Sequence, residues 1–485
     1  MNLYARTHKI NTLIRYSAAS FALFLAAFFV VQVDVHAETV DPSQEALRQK
    51  ELPIQSNSIP GWPEGPAVTA EAAIVMDVNT KTILYSKNID EKLFPASTTK
   101  IMTCLLAAEN AKLNENVVFS HDAIFSVPND GSNIGIDEGE AITVEQALYG
   151  IMVGSANEVA NGLAEHVSGS IDKFVAQMNE KAKELGCKNT HFMNTNGLHN
   201  DNHYTSAYDL ALISSEFFKN ELLCRVANTP KYYIPQSPTQ PDDDLNIVNR
   251  NKFITGEIKC EGLVGGKTGY TDQAQSTLVT CAEKDGMRLV CVVFKEESPA
   301  QFYDTLTLLN YGFNFFDAVH VADKDTRYMP DDSLFFESDH DVFGKSGTIL
   351  NLNKKDYIIL PKVASIEDTE YEVSYDISPS EKAKNETAIA KVNYTFSGVP
   401  IGCAHVCYFD QNRSSSDKTP EYHSIYINVK LLILAAGIFV ILMTGGSSVV
   451  ARIIANRTFL SKSDRIRYNR RKKEFNKMKS RFKRR

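Results

Sequence analysis

Two long apolar runs, one near each end of the chain, predict segments that interact with a membrane. The first run, at residues 18–31, precedes the small-residue sequence Val35-His36-Ala37 and follows three basic residues, Arg6, Lys9 and Arg15. This order is typical of an export signal. Residues 1–37 are therefore predicted to be removed, and the domains that follow are predicted to lie outside the cytoplasm. An uncleaved anchor is the alternative, although the run is short for a bilayer span.

The second run is longer, because residues 431–451 contain no charged side chain. At 1.5 Å per residue it gives about 31 Å of helix, which is enough to cross a bilayer. Residues 452–485 then carry 15 Lys or Arg against Asp464 and Glu474, and such asymmetry places a tail in the cytoplasm. We therefore predict one C-terminal transmembrane helix and a basic tail. The tail could bind anionic lipid head groups or, as an alternative, a cytoplasmic partner or nucleic acid.

Alternation of apolar and polar residues predicts a small β-rich domain over residues 320–410. The alternation is clearest at residues 371–377 and 392–396, and it is the period of half-buried strands. We expect this domain to hold the preceding domain away from the membrane. The remaining boundaries are a proline-rich linker, a polar linker and the largest domain, at residues 38–66, 411–430 and 67–319, respectively.

Within the largest domain, the nearly all-apolar residues 101–108 predict a helix that is buried in the fold. Pro95 suits the first position of such a helix. Ser97 would then lie in the first turn, where free N–H groups favour developing negative charge. Lys100 follows three residues later, which places the two Cβ atoms about 5–6 Å apart, a suitable distance for a nucleophile and its base. Ser-x-x-Lys alone is a weak signal, since it usually lies on an exposed helix face.

Two later motifs strengthen the interpretation of Ser97 and Lys100. Ser155-Ala156-Asn157 supplies a second hydroxyl and a carboxamide, and Lys267-Thr268-Gly269 supplies Lys-Thr-Gly. In this order the motifs resemble those of penicillin-interacting serine enzymes. From about residue 72 to residue 316, the chain is similar to the serine D-alanyl-D-alanine carboxypeptidases among the low-molecular-mass penicillin-binding proteins. The resemblance implies an α/β (α+β) catalytic domain of the β-lactamase/transpeptidase type, an antiparallel sheet flanked by helices, followed by a small all-β domain.

The chemistry of the first motif requires a neutral amine. Ser97 is a poor nucleophile until a base takes its proton, and Lys100 is the nearest candidate by spacing. Burial would lower the pKa of Lys100, and a second cation nearby, Lys267, would lower it further. Lys267 is better placed to remain charged and to bind the terminal carboxylate of a substrate.

The resemblance implies roles for the second motif and for the oxyanion hole. The backbone N–H groups of Ser97 and Tyr270 would stabilise the charge that develops on the attacked carbonyl. Ser155 would relay a proton between Lys100 and the leaving amine. Asn157 would hold the substrate amide.

The strand that carries the third motif would line one edge of the cleft. Gly269 would leave room there for the substrate backbone, and Thr268 and Arg288 would share the substrate carboxylate.

Two departures from the family pattern are visible. Ala156 replaces the glycine that usually separates serine from asparagine, and Ala274-Gln275 replaces an alanine-glycine pair. The second departure affects the predicted strand geometry, not the catalytic set.

The predicted function is that of a membrane-anchored serine carboxypeptidase that acts on peptidoglycan stem peptides and is inhibited by β-lactams. A DD-endopeptidase and a β-lactamase are alternatives of the same fold. The β-lactamase would need an added deacylating carboxylate downstream of the second motif, and the sequence around residues 192–194 contains no convincing Glu-x-x-Leu-Asn. A membrane sensor that is acylated by penicillin without turnover is an alternative of another class, but the short tail is not typical of a folded effector.

Charge, cysteine and histidine content exclude several other functions. The net charge of −8, despite the basic tail, leaves the other domains acidic and argues against nucleic-acid binding by them. No cofactor or metal is predicted, since the spacing of a Cys/His group matches no common zinc pattern; the group is Cys187, His191, His199 and His203. We expect the eight cysteines to be mostly free thiols, with Cys403 and Cys407 the least improbable bridge. A hairpin turn at Asp285-Gly286 would place Cys281 opposite Val290 and Cys291 opposite Thr280, on opposite faces of the sheet.

Overall fold

The computed structural model describes residues 42–128, 131–240, 244–325, 327, 350–385, 387–408 and 462–482. The chain divides into two units, Met1–Asp410 and Gln411–Arg485. Several predicted segments lie outside the described residues and remain predictions: the export signal at 1–37, the linker at 411–430 and the transmembrane helix at 431–451.

The elements of the first unit are numbered in chain order. Helices α1 to α10 are Pro42–Lys50, Lys100–Asn110, His121–Phe125, Val144–Val153, Asn157–Ser168, Ile171–Glu184, Ala207–Phe217, Glu221–Ala227, Ala300–Phe315 and Pro379–Lys384. Strands β1 to β9 are Ala72–Asp77, Ile83–Lys87, Asn116–Val118, Ala141–Thr143, Lys231–Ile234, Leu245–Val248, Leu263–Thr271, Gln275–Lys284 and Met287–Glu296. Strands β10 to β15 are Phe316–His320, Leu350–Leu352, Tyr357–Pro361, Glu370–Ser374, Ala388–Phe396 and Val399–Tyr408. Short 3-10 turns are Gln55–Ser58, Ala96–Thr99, Val321–Asp323 and Ile366–Asp368.

A five-stranded antiparallel sheet, in the order β2-β1-β9-β8-β7, forms the centre of the largest domain. Strands β8 and β9 form a long hairpin that turns at Asp285-Gly286, where both residues have positive φ, as a tight two-residue turn requires. Cys281 pairs with Val290 and Thr280 pairs with Cys291. The predicted register of this hairpin is therefore confirmed.

Two apolar cores cover the two faces of the central sheet. Cys281 lies in the core that the sheet shares with helices α2, α4, α5 and α7, whereas Cys291 lies in the core that it shares with α9 and the second sheet. The two thiols therefore point to opposite faces, as predicted. Helix α2 is buried from Lys100 to Ala107, which confirms the buried helix predicted from its apolar sequence.

The second sheet has the strand order β10-β12-β15-β14-β13, and β11 also pairs with β15. The predicted alternation is confirmed in β14, where Val392 and Tyr394 are buried. It is wrong at residues 371–377, because β13 ends at Ser374 and its Tyr371 and Val373 are exposed. In the described part of the chain β13 lies at the edge of the sheet, where a neighbouring strand covers only one side.

The two sheets share one core. Trp62 packs against Phe316 and Phe396, with ring centroids 5.1 and 6.2 Å apart, and Tyr357 donates to the carboxylate of Asp77 at 3.2 Å. Strand β10 already belongs to the second sheet, which therefore begins a few residues before the predicted boundary at 320. The spacer role predicted for this sheet remains a prediction.

The second unit contains helix α11, Lys462–Phe482. Its described side chains, at residues 466–477, are exposed, in agreement with its high content of Lys and Arg. Among the residues that the structure describes, none of the helices has the length and apolar content needed to cross a bilayer.

All eight cysteines are free. Cys403 and Cys407 both lie on strand β15 and are not bonded to each other. Within the described ranges, no group of His, Cys, Asp and Glu side chains is arranged to hold a metal ion.

Candidate active site

Ser97 and Lys100 lie at the junction between a tight turn and helix α2. Ser97 belongs to the 3-10 turn Ala96–Thr99, and Lys100 is the first residue of α2. The prediction that Ser97 lies within the first turn of the helix is therefore wrong by a few residues. Ala96 has φ +48°, a conformation that side chains other than glycine rarely adopt. The strained turn directs the hydroxyl of Ser97 to within 3.0 Å of Lys100 Nζ.

The amine of Lys100 has three polar neighbours. It donates to Asn157 Oδ1 and to the carbonyl oxygen of Asn196, both at 2.7 Å, and it contacts Ser97 Oγ. Complete burial, and secondly the charge of Lys267, hold the pKa of Lys100 well below its usual value. A neutral amine has two N–H groups and one lone pair. The two carbonyl oxygens occupy the N–H groups, so the lone pair is left to accept the proton of Ser97.

The second motif connects helices α4 and α5. Ser155 has φ +58°, and Asn157 begins α5. The hydroxyl of Ser155 lies 3.1 Å from Lys267 Nζ. Its hydrogen bond is therefore with Lys267 and not with Lys100, which differs from the predicted relay. The Oδ1 atom of Asn157 is occupied by Lys100, so only its Nδ2 side remains for a substrate amide.

The third motif lies on strand β7. Lys267 is buried and donates to Ser155 and to the carbonyl oxygen of Thr268 at 2.9 Å. Burial lowers the pKa of Lys267 to about 8. A Cβ atom at Gly269 would lie 2.3 Å from Thr277 Oγ1 and 2.9 Å from the carbonyl oxygen of Pro95. Glycine is thus needed to let β7 and β8 approach the Ser97 turn, a reason that differs from the predicted room for substrate.

A cleft of about 670 Å³ brings the three motifs together. Residues from all three motifs line it: Ser97, Ser155, Asn157, Lys267, Thr268, Gly269 and Tyr270. Lys100 lies beneath them. Nucleophile, amine and substrate-sized space are therefore present at one place, which is the arrangement required for acyl transfer.

The comparisons with known proteins agree with this geometry. The sequence profile of the D-alanyl-D-alanine carboxypeptidase family matches residues 60–298, which contain all three motifs. The chain is 37% identical to D-alanyl-D-alanine carboxypeptidase DacF of Bacillus subtilis over 254 residues, which cover 51% of this chain and 63% of the relative. It is 31% identical over 259 residues to a D-alanyl-D-alanine carboxypeptidase of Streptomyces sp., a match that covers 51% of this chain and 88% of the relative. The chain belongs to the D-alanyl-D-alanine carboxypeptidase family.

A solved structure supports the fold of this carboxypeptidase family member. Penicillin binding protein 5 from Haemophilus influenzae has a TM-score of 0.55 and 24% identity, and the match covers 72% of this chain and 98% of that chain. At this identity the likeness concerns the fold alone. The predicted family and the predicted transpeptidase-like α/β fold with antiparallel sheets are thus confirmed.

Arg288 is not part of the cleft of this family member. It lies at the start of β9, where Nε is 2.5 Å from Glu283 Oε2 and Nη1 donates to the carbonyl oxygen of Phe218 at 2.9 Å. The guanidinium that lines the cleft belongs to Arg250, which none of the sequence motifs predicts. Arg250 is exposed, has no hydrogen-bond or ion-pair partner among the described residues, and lowers the pKa of Lys267. It follows β6 in a loop, so no periodic signal marked it.

Glu158 is a second residue of the site that the sequence motifs did not predict. Its Oε1 accepts the backbone N–H of Ile134 at 2.7 Å, and the backbone N–H of Asn157 donates to the carbonyl oxygen of Ser132 at 2.9 Å. These bonds tie the segment that forms one wall of the cleft to the start of α5. Burial raises the pKa of Glu158. Its position directly after the second motif is a signal that could have identified it.

Proposed function

We propose that this protein is a serine D-alanyl-D-alanine carboxypeptidase that removes the terminal D-alanine from peptidoglycan stem pentapeptides through an acyl-enzyme. The observation that carries the proposal is the position of Ser97 Oγ, 3.0 Å from a buried amine whose two N–H groups are occupied by carbonyl oxygens. Membership in the carboxypeptidase family supports the choice of substrate.

Acylation begins when Lys100 takes the proton of Ser97. The Oγ atom attacks the carbonyl carbon of the penultimate D-alanine, and the backbone N–H groups of Ser97 and Tyr270 stabilise the oxyanion. Collapse of this intermediate breaks the amide bond and leaves an ester on Ser97. The leaving nitrogen needs a proton, and the hydroxyl of Ser155, which lines the cleft next to Lys267, donates it.

Ser155 can be resupplied by Lys267, because their polar atoms are 3.1 Å apart and the pKa of Lys267 is lowered to about 8. Lys267 in its charged form, together with Thr268 and Arg250, binds the terminal carboxylate. In this proposal Arg250 replaces Arg288 as the arginine that contacts the substrate. The carboxylate therefore defines which peptide bond reaches Ser97.

Deacylation requires a water molecule and a base. Release of D-alanine opens the space next to Ser97. Lys100 becomes neutral again when its proton passes through water in the cleft to Lys267, which gave up a proton to the leaving nitrogen through Ser155. Lys100 can then take a proton from the entering water, and it returns that proton to Ser97 when the ester breaks. Penicillins acylate the same serine, but the opened ring keeps the leaving group tethered in the cleft. Among the described residues that line the cleft, Asp272 is the only carboxylate, and it accepts the hydroxyl of Tyr270. We therefore expect slow hydrolysis of the penicilloyl-enzyme, unlike that of a β-lactamase.

We also propose that residues 431–451 anchor the protein as a single-pass membrane protein, with the carboxypeptidase domain outside the cell and the basic tail in the cytoplasm. The absence of charge in 431–451 and the charge asymmetry around it support this location. Cleavage after residue 37 completes the proposal.

The test is incubation of the purified full-length protein with a pentapeptide ending in D-alanyl-D-alanine. We expect many equivalents of free D-alanine per enzyme. One equivalent of peptide bound without continued release would identify the sensor, and fast multiple turnover of penicillin would identify a β-lactamase. Release of the amine side of a cross-linked dimer, in preference to D-alanine, would identify the endopeptidase.

A further inference from the structure

A second cavity, of about 690 Å³, opens beside the cleft and shares Tyr270, Asp272 and Ser298 with it. Helix α1 forms one of its walls, through Glu45 and Gln49. We call it the α1 cavity. Helix α1 precedes residues 60–298, which the family profile matches, so this wall is added by a segment outside the matched region.

The α1 wall is firmly attached to the central sheet. The side chain of Gln49 is buried, and its Nε2 donates to the carbonyl oxygen of Lys295 and to Glu71 Oε2, both at 3.1 Å. Lys87 Nζ in turn donates to the carbonyl oxygen of Gln49 at 2.7 Å. The α1 cavity is therefore bounded by a helix that hydrogen bonds fix to the sheet, and it is not a gap beneath a loosely packed helix.

Carboxyl groups dominate the lining of the α1 cavity. Glu45, Asp272, Glu296 and Glu297 line it, and Lys295 is the only cation among the described lining residues. Glu45 is already paired with Arg48, so Asp272 and Glu297 are the exposed carboxylates left to attract a ligand. The side chain of Glu297 is exposed and has no hydrogen-bond or ion-pair partner in the part of the chain that the structure describes. The lining therefore favours a cationic ligand.

Glu296 provides an independent sign of a missing ligand. Its side chain is 1% exposed, and neither carboxylate oxygen has a hydrogen-bond partner among the described residues. Burial raises the pKa of this carboxyl well above its usual range. A buried polar group without a partner is unfavourable and is rare in folded proteins. A hydrogen-bond donor that enters the α1 cavity from the cleft would reach the wall that contains Glu296.

The position of the substrate along β7 identifies which part of the substrate reaches this cavity. In the proposed function, Lys267 and Thr268 bind the terminal carboxylate, and the backbone N–H of Tyr270 donates to the attacked carbonyl. Upstream residues of the peptide must then continue towards Asp272. Because an extended chain advances about 3.3 Å per residue, the residue before the penultimate D-alanine arrives where the α1 cavity opens.

We propose that the α1 cavity binds the cationic side-chain amine of the residue immediately upstream of the penultimate D-alanine, with Asp272 and Glu297 as its main charge partners. This inference rests on the proposed function, since in stem peptides that residue is a diamino acid. When the strand is not cross-linked, the amine is free and charged. When it is cross-linked, the amine has become a neutral amide. The cavity therefore favours un-cross-linked strands, the substrates of a carboxypeptidase, over the substrates of an endopeptidase.

The test compares two peptides that differ only in this amine, Nα-acetyl-L-lysyl-D-alanyl-D-alanine and its Nα,Nε-diacetyl form. We expect the wild-type protein to have a kcat/KM about tenfold higher for the free amine. In the double variant Asp272→Asn, Glu297→Gln this ratio should fall to about one, chiefly through KM. A control variant, Glu261→Gln with Asp317→Asn, also removes two negative charges, but from exposed ion pairs outside both cavities. It should keep the wild-type ratio of kcat/KM between the two peptides.

Two further measurements make the outcome decisive. The variant Tyr270→Phe removes the hydrogen bond to Asp272 but keeps the carboxylate, so it should retain the preference for the amine. Protection of Ser97 from fluorescent penicillin measures peptide binding without turnover, and the free-amine peptide should protect at about tenfold lower concentration. Equal protection by the two peptides, or an unchanged ratio in the double variant, would overturn the inference. If neither peptide released D-alanine but the free amine still protected better, only the proposed function would fail.

Discussion

The cleft and the α1 cavity, although adjacent, use charge in opposite ways. In the cleft, Lys100 and Lys267 are buried, their amines contact carbonyl and hydroxyl oxygens, and both amines have lowered pKa values. In the α1 cavity, Asp272 and Glu297 are exposed, and the buried Glu296 has no hydrogen bond to a described residue. Burial prepares groups for proton transfer, whereas exposure leaves charges free to select a substrate.

This contrast sets the size of the expected effects. A charge or proton acceptor in a dry site is worth far more than one in contact with water. Changes to buried residues of the cleft should therefore abolish or nearly abolish chemistry. Changes at exposed positions should alter substrate affinity by modest factors.

The largest effect is expected for Ser97→Ala. The variant removes the nucleophile, and the 3-10 turn contains alanine already at position 96, so folding should be unaffected. Fluorescent penicillin should no longer label the protein, while its thermal unfolding should match that of the wild type. Labelling that persists in a folded variant would exclude Ser97 as the nucleophile.

Lys100→Arg is expected to be the next most damaging change. Arginine keeps a cation at the site but does not deprotonate near neutral pH, so general-base catalysis, on the order of 10²–10⁴-fold, should be lost. The second-order rate constant of penicillin acylation measures this. Acylation within a few fold of the wild type would mean that another group takes the proton of Ser97.

The sequence predicts this buried set well because its members belong to short motifs with fixed spacing. Ser97 and Lys100 are three residues apart on a continuous apolar segment, and local geometry brings them together. The register of β8 and β9 was equally predictable, since Asp285-Gly286 determines the turn and the turn determines the pairing. The transpeptidase-like fold followed from three motifs in order.

The other features of the site and of the second sheet depend on tertiary contacts, which no local sequence pattern contains. Arg250 reaches the cleft from a loop, whereas Arg288, on a well-predicted strand, is held by Glu283. Ser155 contacts Lys267 because α4 and α5 position it next to β7, which spacing along the chain does not reveal. Exposure of Tyr371 results from the edge position of β13, and alternation alone gives the same pattern for edge and interior strands.

Lys267→Ala tests an amine that is buried, like Lys100, but is expected to bind the substrate through its charge. Loss of the charge-assisted contact with the carboxylate, about 1.5–3 kcal/mol, should lower kcat/KM by at least about 10- to 150-fold, because the variant also loses the proton supply to Ser155. The pH profile gives a sharper test. Carboxylate binding by Lys267 is present below its pKa of about 8 and is lost as the pH rises through that value, so the wild type should lose activity above about pH 8.

In Lys267→Ala that alkaline limb should disappear. The acid limb, which reports deprotonation of Lys100, should move to higher pH, because removal of a neighbouring cation raises the pKa of Lys100. Both limbs can be measured with the pentapeptide in one buffer series at constant ionic strength. An unchanged acid limb would show that the two amines are not coupled.

The smallest effect is expected at the exposed rim, where Arg250→Ala and Arg288→Ala form a matched pair. Arg250 lines the cleft in contact with solvent, so its attraction for the substrate carboxylate, about 0.2–1 kcal/mol for an exposed pair, should change KM by about 1.5- to 5-fold with little change in kcat. The effect should shrink in 0.5 M salt, because screening weakens exposed charges. Arg288 is bonded to Glu283 and to the carbonyl oxygen of Phe218, so Arg288→Ala should leave KM unchanged and lower thermal stability instead. A larger KM change in Arg288→Ala than in Arg250→Ala would restore Arg288 as the carboxylate partner, and it would mean that exposure does not separate recognition from structure in this cleft.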